Sequence, residues 1–189
     1  PTVGFLYGFK NKSTLTTQEE EGLYLYRDLM RRKFPPAPAA EVDPDEIAIL
    51  LYTGGTTGIS KAATLSHRNL VANVHQTQVW LSDVREEKEI FLCVLPFFHS
   101  YGMTTGLHLA VQSRCTMVLL PRFELKDVVK QIRKYKATIF CGVPSMYNAI
   151  NHYSGLKSSD VASIRLCISG GAGFPAEVQE SFEKLTGGK

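Results

Sequence analysis

Four short apolar runs, each separated from the next by a stretch of helical periodicity, constrain what this chain can fold into. The runs are Ile90–Leu95, Cys115–Leu120, Ala137–Cys141 and Ile164–Ser169. None of them alternates polar with apolar residues, which is typical of strands that are buried on both faces. Between the runs, apolar residues three and four positions apart predict amphipathic helices, for example over Leu125–Tyr135. The pattern therefore predicts an α/β fold with a mostly parallel sheet covered by helices on both faces.

Composition and charge exclude several classes of protein. The chain has 189 residues, 44% of them hydrophobic, and a net charge of +3 with basic residues scattered among acidic ones. That distribution argues against a nucleic-acid partner. No apolar run approaches the ~20 residues that span a bilayer. We therefore predict a cytoplasmic protein with no transmembrane segment, and we leave peripheral membrane contact and a homodimer open.

The four cysteines do not form a metal-binding or redox motif. Each lies in or beside an apolar segment, and no two are close enough in sequence for a Cys-x-x-Cys site. Cysteine in such a setting behaves as a small hydrophobic residue. We therefore expect free thiols packed against the strands in a reducing compartment.

A second feature is the glycine- and threonine-rich run YTGGTTGISK, residues 52–61, which follows the apolar run Ile47–Leu51. We expect that apolar run to be a buried strand. Glycines let successive backbone amides turn toward one anion, and hydroxyl and ammonium groups add further donors. The predicted ligand is a polyphosphate, and the residues that would hold it are Thr53, Gly54, Gly55, Thr56, Thr57, Gly58 and Lys61.

A run of this composition has two other interpretations, a Walker-type loop and a flexible turn. A Walker-type loop requires Gly-Lys-Ser/Thr followed directly by a helix. Here Gly58 lies three residues before Lys61, Ala62 follows the lysine, and the next residues look extended. The Walker-type nucleoside triphosphatase is therefore set aside. A flexible Gly/Thr turn with an incidental lysine stays open.

Three further segments follow predicted strands: PFFHSYGM at 96–103, GVPS at 142–145 and SGGAG at 169–173. Ligands of open parallel sheets bind at the carboxyl ends of the strands. We therefore expect these three segments and the phosphate loop to converge on one cleft. A structural role for His99, and a tight turn at Ser169–Ala172, are the plain alternatives.

Taken in order, the four motifs resemble the adenylate-forming superfamily of acyl-CoA synthetases, luciferases and peptide-synthetase adenylation domains. The resemblance covers about residues 43–182 and is most like a long-chain fatty-acid–CoA ligase, because of LPFFHSYGMTTG and VLLPRFEL. Coumarate-type or aryl-CoA ligases and acyl-AMP ligases stay open. Ser60, Ala62 and Gly173 depart from the residues that the family usually has at these positions.

The resemblance implies a fragment of the N-terminal adenylation domain of an enzyme that joins a fatty acid to coenzyme A with ATP and Mg²⁺. Residues 1–46 would be a helix and a proline-rich connector, 47–95 a strand, the phosphate loop and a helix, and 96–189 an α/β subdomain that binds acyl and adenine groups. The family's magnesium-binding glutamate, ribose-binding aspartate and C-terminal domain would lie beyond this chain. The fragment alone is therefore expected to be inactive, and a nucleotide-binding module without ligase activity is the non-enzyme alternative.

The same resemblance implies a role for each site residue. His99 and Lys61 would be catalytic, and Thr53 would lie near the metal. The adenine would lie on Gly170, Gly171 and Ala172. The acid would contact His99, Tyr101, Gly102, Val143 and Ser145.

Overall fold

A four-stranded parallel sheet forms the centre of the larger of two compact units in this chain. The structure is a computed structural model that describes residues 26–52 and 61–189. The units are Pro1–Glu41 and Val42–Lys189. The strands of this sheet are β3 (Ile90–Cys93), β4 (Thr116–Leu119), β5 (Ile139–Gly142) and β6 (Leu166–Ser169). Their order across the sheet is β4-β3-β5-β6, and every neighbouring pair is parallel.

Buried side chains cover both faces of this sheet. On β3, Leu92 belongs to one apolar cluster, whereas Phe91 and Cys93 belong to another. The first cluster contains residues of α4 (Leu125–Tyr135), α5 (Pro144–Asn151), α6 (Ser158–Val161) and α7 (Ala176–Thr186). The second contains residues of α3 (Leu109–Gln112). The predicted fold class, a mostly parallel sheet with helices on both faces, is confirmed.

The strand before the phosphate loop was expected to be buried and to end at the same edge as the others, and this was wrong. Strand β1 (Ile47–Tyr52) pairs antiparallel with β2 (Ala62–Ser66) in a separate two-stranded sheet, and Ile47, Leu50 and Tyr52 are exposed. The connection, residues 53–61, is too short for a parallel crossover, which needs a dozen or more residues. The extended residues after Lys61 are confirmed, in keeping with the rejection of a Walker-type loop.

Several helix boundaries follow from local capping chemistry. Ser66 caps α2 (His67–Trp80): its hydroxyl accepts from the Asn69 amide at 3.3 Å, and its own amide donates to Asn69 Oδ1 at 3.0 Å. Pro144 opens α5, and Pro175 precedes α7. Helix α1 (Tyr26–Arg31) lies within residues 1–46, where a helix and a proline-rich connector were expected, and residues 1–25 lie outside the described residues.

A π-helix over Gly102–His108 was not predicted. π-helices are rare and short, so no simple sequence periodicity predicts them. This one runs directly into α3, and Thr105 Oγ1 donates to the Tyr101 carbonyl at 2.8 Å. None of the helices described for residues 26–52 and 61–189 is both long and apolar enough to cross a bilayer.

The cysteines are free thiols, as expected. Cys93 and Cys141 are buried, and Cys115 and Cys167 are half-buried. Burial raises the pKa of the Cys93, Cys141 and Cys167 thiols to about 12. At neutral pH these three groups are protonated, so they act as packing residues rather than as nucleophiles.

A buried ion pair joins three strands at the edge opposite the predicted site. Glu89 precedes β3, Thr138 precedes β5 and Arg165 precedes β6. The Glu89 carboxylate, whose side chain is 1% exposed, accepts from the Arg165 guanidinium and, at 2.6 Å, from Thr138 Oγ1. It also accepts from the Arg85 amide at 3.1 Å. Sequence reasoning missed this cluster, although a polar residue just before one apolar run, Glu89, and at the second position of two others, Thr138 and Arg165, was a signal for it.

Candidate functional site

Three of the four predicted segments meet at the carboxyl edge of the parallel sheet, and Tyr101 links them. Its hydroxyl lies 2.5 Å from the Ile168 carbonyl of β6 and 3.1 Å from the Gly142 carbonyl of β5, so its one proton is shared between two acceptors. The Gly170 amide also donates to the Gly142 carbonyl, at 3.2 Å. The segment after β3 is therefore tied to the ends of both β5 and β6.

His99 lies in the turn between β3 and the π-helix, and its side chain is exposed. Its Nδ1 accepts a hydrogen bond from the Tyr101 amide at 3.2 Å, and its amide donates to the Pro96 carbonyl at 3.2 Å. With Nδ1 used as an acceptor, the neutral imidazole carries its proton on Nε2. The turn therefore holds the ring in one orientation and leaves an N–H donor for a ligand.

Gly102 is required by the close approach of the backbone in this turn. A Cβ at this position would lie 2.5 Å from the Pro96 carbonyl oxygen, nearer than real Cβ contacts come. Because the obstacle is backbone, a side chain at 102 would displace the turn that carries His99.

The loop after β6 presents backbone rather than side chains. Gly171 and Ala172 are exposed, and a Cβ on Gly171 would reach ordinary contact with Val143 Cγ1, 3.5 Å away. The Tyr101 ring supports Gly170 from beneath. An exposed surface of backbone that packs against an aromatic ring fits a flat heteroaromatic ligand such as adenine. Val143 is half-buried and Ser145 is exposed, both at the start of α5.

The phosphate-loop residues Thr53 to Gly58 lie outside the described residues. Lys61 is the first described residue after them, and it is exposed beside β2. Helix α2, which follows β2, connects this hairpin to the site, because Thr104 Oγ1 of the π-helix donates to Asn73 Oδ1 of α2 at 3.0 Å. The described hairpin strands β1 and β2 are thus connected to the segment that carries His99 through α2.

No cluster of three or more His, Cys, Asp or Glu side chains that could hold a metal ion occurs among the residues described. Thr53, the residue implied near Mg²⁺, is not among them. The described residues therefore provide no cluster of three or more such side chains for Mg²⁺. Mg²⁺ usually keeps several waters and is bound by one or two carboxylates together with substrate phosphates.

Sequence comparison shows the family. A profile of the AMP-binding enzymes matches residues 6–189. The chain belongs to the AMP-binding enzyme family. This agrees with the resemblance inferred from the four motifs, and it places the parallel sheet and the segments at its carboxyl edge within a known class of nucleotide-binding fold.

Two kinds of CoA ligase are among the individual relatives of this chain. It is 43% identical over 150 residues to a long-chain-fatty-acid–CoA ligase of Bacillus subtilis, covering 79% of the chain and 27% of the relative. It is 41% identical over 143 residues to 4-coumarate–CoA ligase-like 3 of Arabidopsis thaliana, covering 75% of the chain and 25% of the relative. The chain therefore spans about a quarter of the length of these curated relatives.

Among solved structures, the ATP-bound MatB of Rhodopseudomonas palustris superposes with a TM-score of 0.69 at 29% identity. The match covers 78% of this chain and 29% of that protein. The likeness supports the arrangement of the described sheet and helices as that of an adenylate-forming enzyme.

Proposed function

We propose that the protein containing this chain activates a carboxylic acid with ATP and transfers the acyl group to coenzyme A. In the first step a carboxylate oxygen attacks the α-phosphorus of ATP, the bond to pyrophosphate breaks, and an acyl-adenylate forms. In the second step the coenzyme A thiolate attacks the acyl carbon and AMP leaves. The observation that carries the proposal is the convergence of the His99, Gly142–Ser145 and Gly170–Ala172 segments around Tyr101, through its amide and its hydroxyl.

Each group of residues has a task in this reaction. Attack of a carboxylate on ATP brings anions together, so hydrogen-bond donors and cations are needed to offset repulsion. Lys61 and the backbone and hydroxyl groups of residues 53–58 would hold the triphosphate, with Thr53 near Mg²⁺. The Nε2 proton of His99 would orient the acid and stabilise developing charge. Gly170, Gly171 and Ala172 would receive the adenine, and the ring of Tyr101, with Gly102, Val143 and Ser145, would border the acid.

The proposed acid is a long-chain fatty acid, in keeping with the 43% identity to the Bacillus subtilis ligase. An aryl acid of the coumarate type is the second candidate, because the Arabidopsis thaliana relative is 41% identical over a similar length. An acceptor other than coenzyme A would make the protein an acyl-AMP ligase.

The function is tested by ATP–pyrophosphate exchange with the full-length parent, without coenzyme A, on short, medium and long fatty acids and on aryl acids. We expect exchange that requires an acid and is fastest with long fatty acids. Exchange fastest with aryl acids would instead support the coumarate-type candidate. ATP binding without exchange on any acid would contradict the ligase and leave a nucleotide-binding module.

His99→Ala in the full-length parent is expected to slow pyrophosphate exchange by roughly 10- to 100-fold, the range for loss of one hydrogen bond to a charged group. Folding should be retained, because the ring is exposed and its hydrogen bond within the described part of the chain is the one that it accepts from the Tyr101 amide. The readout is exchange rate beside melting temperature. His75→Ala, on the exposed face of α2, is the matched control. A His99 variant that unfolds, or that exchanges normally, would show that His99 is not catalytic.

A further inference from the structure

We infer that the Tyr101 hydroxyl is a positioning group for the nucleotide side of the site: it sets the place of the Gly170–Ala172 loop, while the ring borders the acid. This inference rests on the proposed function and goes beyond it, since Tyr101 was assigned there to the acid alone. It predicts that loss of the hydroxyl changes recognition of ATP and not of the acid.

The first observation is that the hydroxyl is already committed within the protein. Both of its close partners are backbone carbonyls, those of Ile168 and Gly142, at the ends of neighbouring strands. Burial raises the pKa of Tyr101, so the hydroxyl keeps its proton and acts as a donor at neutral pH. A donor used in this way is not available to hydrogen-bond an acid.

The second observation is the contact between the ring and Gly170. A Cβ on Gly170 would lie 3.0 Å from Cζ of Tyr101 and 3.1 Å from Cε1. The Gly170 backbone therefore rests directly on the ring that carries the hydroxyl. We therefore expect a shift of the Tyr101 ring to displace Gly170, the first residue of the loop.

The third observation separates positioning from stability. The Ile168 carbonyl also accepts from the Tyr147 hydroxyl at 2.7 Å, and the Gly142 carbonyl also accepts from the Gly170 amide at 3.2 Å. Removal of the Tyr101 hydroxyl therefore leaves neither carbonyl without a donor. Its effect should be on the position of the ring and loop, and not the penalty for an unpaired buried group.

Tyr147 provides a matched control. It is fully buried, packs in the apolar cluster on the other face of the sheet, and donates to the same Ile168 carbonyl. Tyr147→Phe removes one hydroxyl from this carbonyl, as Tyr101→Phe does, but the side-chain atoms nearest to a Cβ on Gly170 belong to Tyr101 and not to Tyr147. The two variants differ mainly in the face of the sheet on which the hydroxyl is lost: Tyr147 packs in one apolar cluster and Tyr101 packs against the other.

The experiment compares both variants with the wild-type full-length parent by ATP–pyrophosphate exchange and by direct titration with ATP. We expect Tyr101→Phe to raise the KM and the Kd for ATP about three- to tenfold, the range of one hydrogen bond, with the KM for the acid unchanged. Tyr147→Phe should lower the melting temperature at least as much while leaving both ATP constants within twofold of wild type.

Three results would overturn the inference. The first is a changed KM for the acid with an unchanged Kd for ATP, which would make the hydroxyl an acid-binding group. The second is an equal rise in the Kd for ATP in both variants, which would indicate a merely structural effect. The third is a Tyr101 variant that matches the wild type in every constant.

A second pair of variants tests the contact between the Tyr101 ring and Gly170 separately from the hydroxyl. Gly170→Ala should raise the Kd for ATP by pushing on the ring, and Tyr101→Ala should raise it by removing the support. Because both disturb one contact, the double variant should be no weaker than the worse single variant. Additive effects would show that the two residues act independently.

Failure of the proposed function is distinguishable from failure of this inference. A wild-type protein that binds ATP but exchanges no pyrophosphate would overturn the ligase, and the ratio of ATP Kd values for Tyr101→Phe and wild type would still decide the role of the hydroxyl. A wild-type protein that binds no ATP would overturn both.

Discussion

Glu89→Ala is expected to lower the free energy of unfolding by about 3–5 kcal/mol, the range for breaking a buried ion pair. The variant leaves the Arg165 guanidinium, 24% exposed, without its carboxylate, and it removes acceptors from Thr138 Oγ1 and from the Arg85 amide. The three residues join the amino ends of β3, β5 and β6, so the loss acts on the centre of the sheet. Chemical denaturation of the full-length parent measures it.

Glu86→Ala is the matched control, since Glu86 pairs with Arg114 at 2.9 Å but both side chains are more than half exposed. Exposed pairs contribute little, so this variant should unfold almost as the wild type does. Equal losses in the two variants would contradict the role given to Glu89.

The pH dependence gives a second check on the same pair. Burial would raise the pKa of Glu89, but hydrogen bonds from Arg165, Thr138 and the Arg85 amide outweigh it and hold the pKa below its ordinary value of 4.5. The ionised carboxylate therefore stabilises the fold above pH 4.5, and this contribution is lost as the pH falls through the lowered pKa. The difference in stability between wild type and Glu89→Gln should shrink below pH 4.5. A difference that stays constant across that range would contradict the assignment.

Lys61→Ala in the full-length parent is expected to reduce the kcat/KM of adenylation by roughly 10- to 100-fold, equal to about 1.5–3 kcal/mol for one charge-assisted hydrogen bond to phosphate. The expectation follows from the place of Lys61 at the end of the glycine- and threonine-rich loop and before β2. ATP–pyrophosphate exchange measures it. The melting temperature should change little, because the side chain is exposed.

The control for Lys61 is Lys130→Ala, which removes the same charge from an exposed position on α4. If general electrostatic attraction of ATP were responsible, both variants would slow exchange alike. Unchanged exchange in Lys61→Ala would remove this residue from the site.

The order and type of the main elements could be predicted from the sequence because their signals are local. Predominantly apolar runs marked β3, β4, β5 and β6, although each strand is shorter than its run. Periodicity marked α4 over Leu125–Tyr135, and the prolines at 144 and 175 marked the starts of α5 and α7. The resemblance carried by the four motifs agrees with the match of the AMP-binding enzyme family to residues 6–189.

Pairing could not be predicted in the same way, because it depends on residues far apart in the chain. The run Ile47–Leu51 looked like a buried parallel strand, yet β1 pairs antiparallel with β2 and leaves half of its residues exposed. An apolar run indicates that a segment tends to be buried. It does not indicate which strand the segment pairs with. The short connection over residues 53–61 was the local hint that only an antiparallel partner could be reached.

The sequence by itself determined the order of the four motifs, for which phosphate-, adenine- and acid-binding roles are proposed, and indicated that three of them follow strands of one parallel sheet. Only the tertiary structure decided how those segments are held together. The Tyr101 hydroxyl reaches carbonyls that lie 41 and 67 residues away, and Glu89 meets Arg165 across 76 residues. Such contacts leave no period in the chain, because they arise from the register of β3, β5 and β6 in one sheet. Local burial patterns select the elements, and sheet register selects which of their ends meet.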